Sequence, residues 1–333
     1  MTPFSLVVCG AINWDISCFV DRLPAPGEKV VVEYITRVSG GTGGNVAVAA
    51  ARILGAEKVA LIGALGRDDI ARQQIAILED EGVVTTGVHQ IAGEESGQAY
   101  IFIDQAGQNV IANHLRANAR LSLKHLKKAE VRRQLRECRG IVLTDPPLQV
   151  AKELISVAKR HDIPVLWDPG ILINPDREAL LSLAKEAEVI FLNETETSAL
   201  LGAGELNTSL QRLQKLGFHN HIVLKLGAQG AVMLEPASGT LIEIPALPLR
   251  ELGLNVINTV GCGDVFAGVF AAYYVMGSNL EQSLIMASAA AGLNAARPET
   301  RGSPDRAALE ATEQQFRNLG FTVREYRAPK ITE

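Results

Sequence analysis

Two glycine-rich segments have the residue types and spacing to do chemistry. In Asn258-Thr259-Val260-Gly261-Cys262-Gly263-Asp264, three successive amides open onto the apolar run VFAGVFAAYYVMG. Consecutive N–H groups at a helix N-terminus make a concave anion site, suited to a phosphoryl group in transfer. Asp264 stands beside them, where a carboxylate can take a proton from an attacking hydroxyl. The second segment, Ser39-Gly40-Gly41-Thr42-Gly43-Gly44-Asn45, runs into VAVAAARILG. Its glycines allow backbone to approach a ligand closely, and Asn45 can both donate and accept, as a hydroxyl-rich ligand requires. Alone, the first segment also reads as a helix cap with a tight turn, and the second as a turn before a core helix. Their pairing in one chain favours the chemical reading. There is no G-x-x-x-x-G-K-[ST], no G-x-G-x-x-G after the first strand and no G-x-S-x-G. P-loop, dinucleotide and α/β-hydrolase readings are thereby excluded.

The elements that must position these groups follow from periodicity. Short apolar, β-branched runs at Leu6–Val8, Val59–Ile62, Ile141–Leu143, Val165–Trp167, Val189–Leu192 and Ile222–Leu226 read as strands. Helical patterns lie between or after them at Val46–Leu54, Asp69–Glu81, Val150–Arg160, Glu178–Ala187 and Leu206–Leu216. Apolar strands separated by helices predict an α/β fold whose parallel sheet is covered on both faces. Two further helices are expected at Asp264–Met276 and Leu280–Ala296, the first stopped by Gly277. The stretches Ile16–Val38 and Gln98–His114 alternate instead, with turns at Pro24–Gly27 and Asp104–Gly107. They predict one small, discontinuous sheet projecting as a lid.

The 333 residues amount to about two domains at roughly 150 residues each, or one large α/β domain with an insertion. Lys and Arg number 32 against 37 Asp and Glu, a net charge of −5 that draws the chain to neither nucleic acid nor anionic membrane. Cys9, Cys18, Cys138 and Cys262 are scattered without metal-type spacing, which suits reduced thiols in the cytoplasm. The opening MTPFSLVVCGAINWD lacks a basic leader and reads as a buried strand. Val265–Met276, the longest apolar stretch, is shorter than the ~20 residues that span a bilayer. A soluble cytoplasmic protein is expected.

GGTGGNVAVAAARILG resembles the N-terminal signature of the ribokinase (PfkB) carbohydrate kinases, and NTVGCGDVFAG their C-terminal signature. Asn193-Glu194-Thr195-Glu196 looks like the family's N-x-x-E magnesium motif, and Lys225-Leu226-Gly227-Ala228-Gln229-Gly230 its nucleotide loop. The four matches stand in family order. The resemblance implies a ribokinase-like doubly wound, mostly parallel sheet flanked by helices, in one kinase domain over residues 1–333. Its lid would comprise about 13–38 and 97–115. It implies ATP and Mg2+ as cofactors and transfer of phosphate to a hydroxyl of a sugar or sugar-containing metabolite. Asp264 would be the general base and Gly261, Cys262 and Gly263 the anion hole. Asn193 and Glu196 would act on the magnesium shell through waters, while Lys225, Gly227 and Gly230, with Asn193, border the nucleotide. Asn13, Asp15, Gly40, Gly41 and Asn45 would contact the substrate, as would Asp145.

Two positions depart from the family pattern. Asn258 replaces the usual Asp of a monovalent-cation site, which weakens the case for potassium. Cys262 replaces Ala, and a helix N-terminus would lower its thiol pKa, making it open to modification. A nucleoside kinase of the same family is the alternative, with Phe19, Tyr34, Tyr100 and Phe102 as a shelf for the base. A silent sugar-binding regulator is a remoter one. His114 and Arg116, at the lid's end, either contact the substrate or face water, and Arg116 near the site would favour an anionic substrate. Asp168-Pro169-Gly170 is a strand-end turn that can border the substrate. If Asn13 and Asp15 face the ligand, Trp14 packs on the opposite side. His219-Asn220-His221 reads as surface, and the basic run Lys124–Arg139 as an amphipathic helix with a solvated side. A homodimer through the lid is expected.

Overall fold

Strands that are apolar throughout must be covered on both sides, and the alternation of strands with helices supplies the cover. The computed structural model describes residues 4–105, 108–170, 176–202, 206–236 and 238–327. Its strands are Leu6–Gly10 (β1), Asn13–Val20 (β2), Val32–Gly40 (β3), Val59–Leu65 (β4), Val83–Gln90 (β5), Gly97–Ile103 (β6) and Asn109–His114 (β7). They continue with Ile141–Thr144 (β8), Val165–Asp168 (β9), Val189–Asn193 (β10), His221–Lys225 (β11), Ala231–Glu235 (β12), Thr240–Ile244 (β13) and Arg324–Arg327 (β14).

The large sheet has the order β14-β13-β12-β11-β10-β9-β8-β1-β4-β5. From β5 to β11 every neighbour is parallel; β12, β13 and β14 are added antiparallel at one edge. The chain winds outward from β1 in both directions, so the strand order reverses between β1 and β8. At such a switch point the carboxyl ends of the strands leave a crevice for a ligand. Alternate residues of β1 feed two cores: Leu6 and Val8 pack with the helices Thr42–Leu54, Cys262–Val275 and Leu280–Ala295, whereas Val7 and Cys9 pack with Ala129–Glu137 and Leu148–Arg160. Among the described residues no helix is long and apolar enough to cross a membrane.

The second sheet has the order β3-β2-β6-β7, the discontinuous four-stranded unit that alternation predicts. The turn expected at 104–107 lies partly outside the described residues. Residues opposite one another in register share a face. Asn13, Asp15 and Phe19 therefore lie with Gly40, Val38 and Tyr34 on one face, and Phe19 stacks on Tyr34 with ring centroids 4.2 Å apart. Tyr100 and Phe102 pair with Ile16 and Cys18 on the other face. The four aromatic residues thus do not form one shelf, because their strand positions differ in parity. Trp14 is half-buried on the face away from Asn13 and Asp15.

Some boundaries differ from the sequence expectation. The first helix begins at Thr42, not Val46, so the glycine run is its first turn; Gly43 packs on Gly10, where an added Cβ would come 2.6 Å from the backbone. The basic run is two helices, Leu123–Leu126 and Ala129–Glu137, because Lys128 is extended between them. Strands β5, β12, β13 and β14, and helix Arg306–Asn318, were outside the expected set.

Helices Thr42–Leu54 and Cys262–Val275 meet closely at Gly268, where a Cβ would stand 2.6 Å from the Val46 carbonyl oxygen and 2.9 Å from Ala49 Cβ. Backbone cannot yield there without separating the helices. Gly268→Ala is expected to lose about 1–3 kcal/mol of stability, the usual scale for overpacking. Chemical denaturation of the two proteins checks this; an unchanged midpoint would contradict it.

Candidate active site

The strand ends at the switch point form the floor of the site. Gly10, Thr144 and Asp168 are neighbours in register at the ends of β1, β8 and β9, and Asn193 and Lys225 are neighbours at the ends of β10 and β11. Asp145 follows β8 directly and adopts a left-handed backbone, φ 44°, which an acidic residue tolerates better than most. Its carboxylate accepts from the Ala11 N–H at 3.3 Å and the Thr42 hydroxyl at 3.0 Å, joining both sides of the switch point. Burial pushes the Asp145 carboxyl up to about 7, against the pull of those two donors.

Above this floor the N-terminal turns of the two closely packed helices converge. Asn45, buried in the first turn of one, donates from Nδ2 to Asp264 Oδ2 in the other at 2.8 Å. Burial raises the Asp264 carboxyl to about 6, opposed chiefly by that hydrogen bond. Gly261 caps the Cys262–Val275 helix in a left-handed conformation, φ 79°, with Thr300 packed where a side chain would stand. The Cys262 N–H turns to the Thr259 carbonyl at 3.3 Å, so it is not presented with its neighbours as an open trio of amides. The Cys262 thiol also departs from expectation: burial and then the Asp264 charge raise its pKa, outweighing the Asn294 amide that donates to it at 3.4 Å. Activation of this thiol by the helix end is not what the site provides.

The small sheet brings two further polar side chains to this region. Asn13 and Asp15 are buried on β2, and Gly40 leaves the space the Asp15 carboxylate occupies. Burial raises Asp15 to about 7, with Arg301 opposing and Asp264 reinforcing. Gly41, at φ 85°, turns the chain from β3 into the helix.

On the other side of Cys262 and Gly263 is a cleft of about 780 Å³. It is lined by Asn193, Lys225, Gly227 and Gly230, with Leu247 and Ala291 among its apolar walls. Lys225 pairs with Asp168 at 2.5 Å, and its ammonium lies beside Gly263. Burial works against the Lys225 charge, but Asp168 and Glu196 outweigh it and raise its pKa. Asp168 is thus committed to Lys225, while Gly170 in the same turn packs on Asp145.

Asn193 and Glu196 form a reciprocal capping box on helix Glu194–Leu201, with bonds of 2.8 and 2.9 Å between side chains and backbone N–H groups. The capping box accounts for the N-x-x-E spacing by itself. Burial and Asp168 raise the Glu196 carboxyl to about 7. Glu196, with one carboxylate oxygen accepting the Asn193 N–H and the other outside the capping box, fits a hydrated magnesium ion reached through water. Asn258 donates to the Pro298 carbonyl and accepts from the Val260 N–H, each at 3.0 Å, which commits its amide to the loop.

Three residues at the site carry no sequence signal. Asn118, buried, bonds the Ile12 backbone at 3.0 and 3.2 Å and donates to Asn13 Oδ1 at 2.8 Å, which orients that amide. Gln74 donates to the Asn13 carbonyl. Arg301 contacts Ser39, Gly40 and Asn45. All three come from segments without a motif and reach the site only through the fold. Arg116 is exposed and pairs with Glu95 at 3.4 Å. His219 is exposed, and His221 stands 3.7 Å from Glu235.

Residues 4–307 match the model of the pfkB family carbohydrate kinases. A deoxyribokinase of Salmonella typhi is 30% identical over 285 residues, covering 84% of this chain and 88% of that protein. An ATP-dependent ribose-1-phosphate kinase of Halopiger xanaduensis is 29% identical, covering 91% and 95%. Arabidopsis thaliana ribokinase, solved with ribose and ATP, superposes with a TM-score of 0.79 at 27% identity, covering 94% of this chain and 99% of that one. The chain belongs to the pfkB family of carbohydrate kinases. Its fold is the ribokinase-like α/β fold, and it is an ATP-dependent sugar kinase of that family.

Asp145 offers a test of the site's electrostatics. A carboxyl whose folded pKa lies above its unfolded value favours folding least once it is ionised, so its share of stability is lost as pH rises from about 4 to about 7. Asn keeps the left-handed backbone and removes the charge. Asp145→Asn should therefore gain Tm relative to the parent at pH 8 by roughly 2–5 °C, with the gap closing toward pH 4. Thermal melts across that range check it, and a gap independent of pH would contradict it.

Proposed function

We propose that this kinase transfers the γ-phosphoryl group of ATP to a hydroxyl of a neutral sugar, with Asp264 as the base. The observation that carries the reading is the Asn45–Asp264 hydrogen bond, which joins the two glycine-rich segments. The acceptor hydroxyl would lie between Asp264 and the buried Asn13, Asp15 and Asp145. Asn13 is oriented by Asn118 so that its N–H2 group can donate to the sugar. Gly40, Gly41 and Asn45 would shape the rim of that space. The neutral character of the substrate follows from the cations nearby: Arg301 spends N–H groups on three protein oxygens, Lys225 holds Asp168, and Arg116 faces Glu95.

The nucleotide would occupy the cleft bordered by Lys225, Gly227 and Gly230, with its phosphates toward the Cys262–Val275 helix. The amides of Gly261 and Gly263 would carry the anion hole, with the Lys225 ammonium beside them. A loose phosphoryl-transfer transition state spreads charge over its equatorial oxygens, so fixed dipoles and a positioned cation supply most of the catalysis. Magnesium, held through water by Glu196 and Asn193, would neutralise phosphate charge there. Asp264, raised to about 6, is ionised at neutral pH yet basic enough to accept the hydroxyl proton. The small sheet, over about 13–38 and 97–115, would act as a lid of a single kinase domain spanning 1–333, excluding water from the phosphate. Its exposed Ile35 and Val110, on the face away from Asn13 and Asp15, suit a homodimer through that sheet. Nucleosides remain the second reading because Phe19 stacks on Tyr34 on the substrate side.

ADP release should appear with a free pentose or hexose, and Asp264→Asn should cut kcat by roughly 10²–10⁴ with KM little changed. Near-normal turnover in that variant would refute the assignment. Because the Asn258 amide is committed to Pro298 and Val260, turnover should be the same in potassium as in a bulky organic cation. Strong stimulation by potassium would overturn that part. Glu196→Gln should raise the magnesium concentration needed for half-maximal rate without abolishing turnover.

A further inference from the structure

Arg301 lies outside every signature segment, yet it reaches into the centre of the site. Its Nε donates to Asn45 Oδ1 at 2.8 Å, Nη1 to Ser39 Oγ at 2.6 Å and Nη2 to the Gly40 carbonyl at 3.1 Å. Gly44 makes the room, since a Cβ there would come 2.5 Å from Nη2. The loop carrying Arg301 is itself anchored: Arg52 donates to the Arg301 and Ser303 carbonyls at 2.6 and 2.8 Å and pairs with Glu81 at 2.7 Å.

An asparagine amide is nearly symmetric in shape, so packing alone does not decide which end faces which neighbour. Turned by 180°, Asn45 would present its oxygen to the Asp264 carboxylate and its N–H2 group to whatever lies behind. A guanidinium has donors and no acceptor, and it therefore rejects the turned form. We propose that Arg301 is a positioning residue which locks the Asn45 amide with its oxygen inward, so that Nδ2 donates to one oxygen of Asp264 and leaves the other for the acceptor hydroxyl. This rests on the reading of Asp264 as base. The other charged groups around Asp264 are Asp145, Asp168 and Lys225 at the strand ends, Glu196 in the first turn of its helix and Asp15 from the small sheet, and none of them contacts Asn45 through a hydrogen bond among the described residues.

Arg301→Gln places at 301 an amide that can donate or accept, so the lock is lost; Arg301→Lys retains a donors-only group. For Arg301→Gln, kcat should fall roughly 10–100-fold, the scale of a small misplacement at the reacting centre, with KM for ATP within about twofold. The acid limb of its kcat–pH profile should move to higher pH, because Asp264 loses a donor and a nearby positive charge. Arg301→Lys should keep the limb near its original position. The effects of Arg301→Gln and Asn45→Ala should be strongly non-additive, since both break one relay. A lowered Tm with an unmoved acid limb and additive effects would make Arg301 a mere loop anchor and overturn the proposal. Should Arg301→Gln fail to fold, an Arg301→Lys limb displaced as far as that of Asn45→Ala would overturn it equally. Full turnover by Asp264→Asn would instead defeat the base assignment itself, so the two failures are distinguishable.

Discussion

The site depends on the close contact of two helices at Gly268. That approach brings two N-terminal turns together, and each turn carries one half of a hydrogen bond between Asn45 and Asp264. Neither half is useful alone: a buried carboxylate without a donor would be protonated too readily, and a buried amide without an acceptor would be unsatisfied. The sheet contributes in a different way. By reversing its winding between β1 and β8, it leaves an opening into which Asp145 descends, tied to both sides. Helix packing thus fixes the Asn45–Asp264 pair and sheet topology the placement of Asp145.

The polar interior is arranged so that most groups have one fixed partner and one remaining capability. Asn118 orients Asn13, Asp168 holds Lys225, and the Asn193–Glu196 capping box holds both of its members. Such second partners remove rotamer freedom before any ligand arrives, and a prepositioned group loses less entropy on binding. Cys262 fits the same scheme: its amide and its thiol each have a neighbour, and burial keeps the thiol protonated.

The parallel sheet, the small second sheet and the signature residues were legible in the sequence because they leave local marks. Apolar runs, alternation, left-handed glycines and a capping-box spacing are each confined to a few residues. Arg301, Asn118, Gln74 and Gly268 leave no such mark. Arg301 and Asn45 are 256 positions apart, and nothing in either segment announces the other. The helix start shows the same limit from the opposite side. The apolar pattern marks the helix only from Val46, but packing of Gly43 on Gly10 begins it at Thr42. The aromatic shelf failed for a related reason, since parity along β2 and β6 is decided by sheet register and not by residue type.

Three buried acidic side chains, Asp15, Asp145 and Asp264, are held near or just below the point at which they share a proton with water at neutral pH. The protein is consequently a small reservoir of exchangeable hydrogen ions. A ligand that hydrogen-bonds to these groups would change how many ions they keep, and the difference would pass to the surrounding buffer. The heat of ligand uptake recorded in phosphate would then differ from that recorded in Tris, by an amount that counts the ions moved.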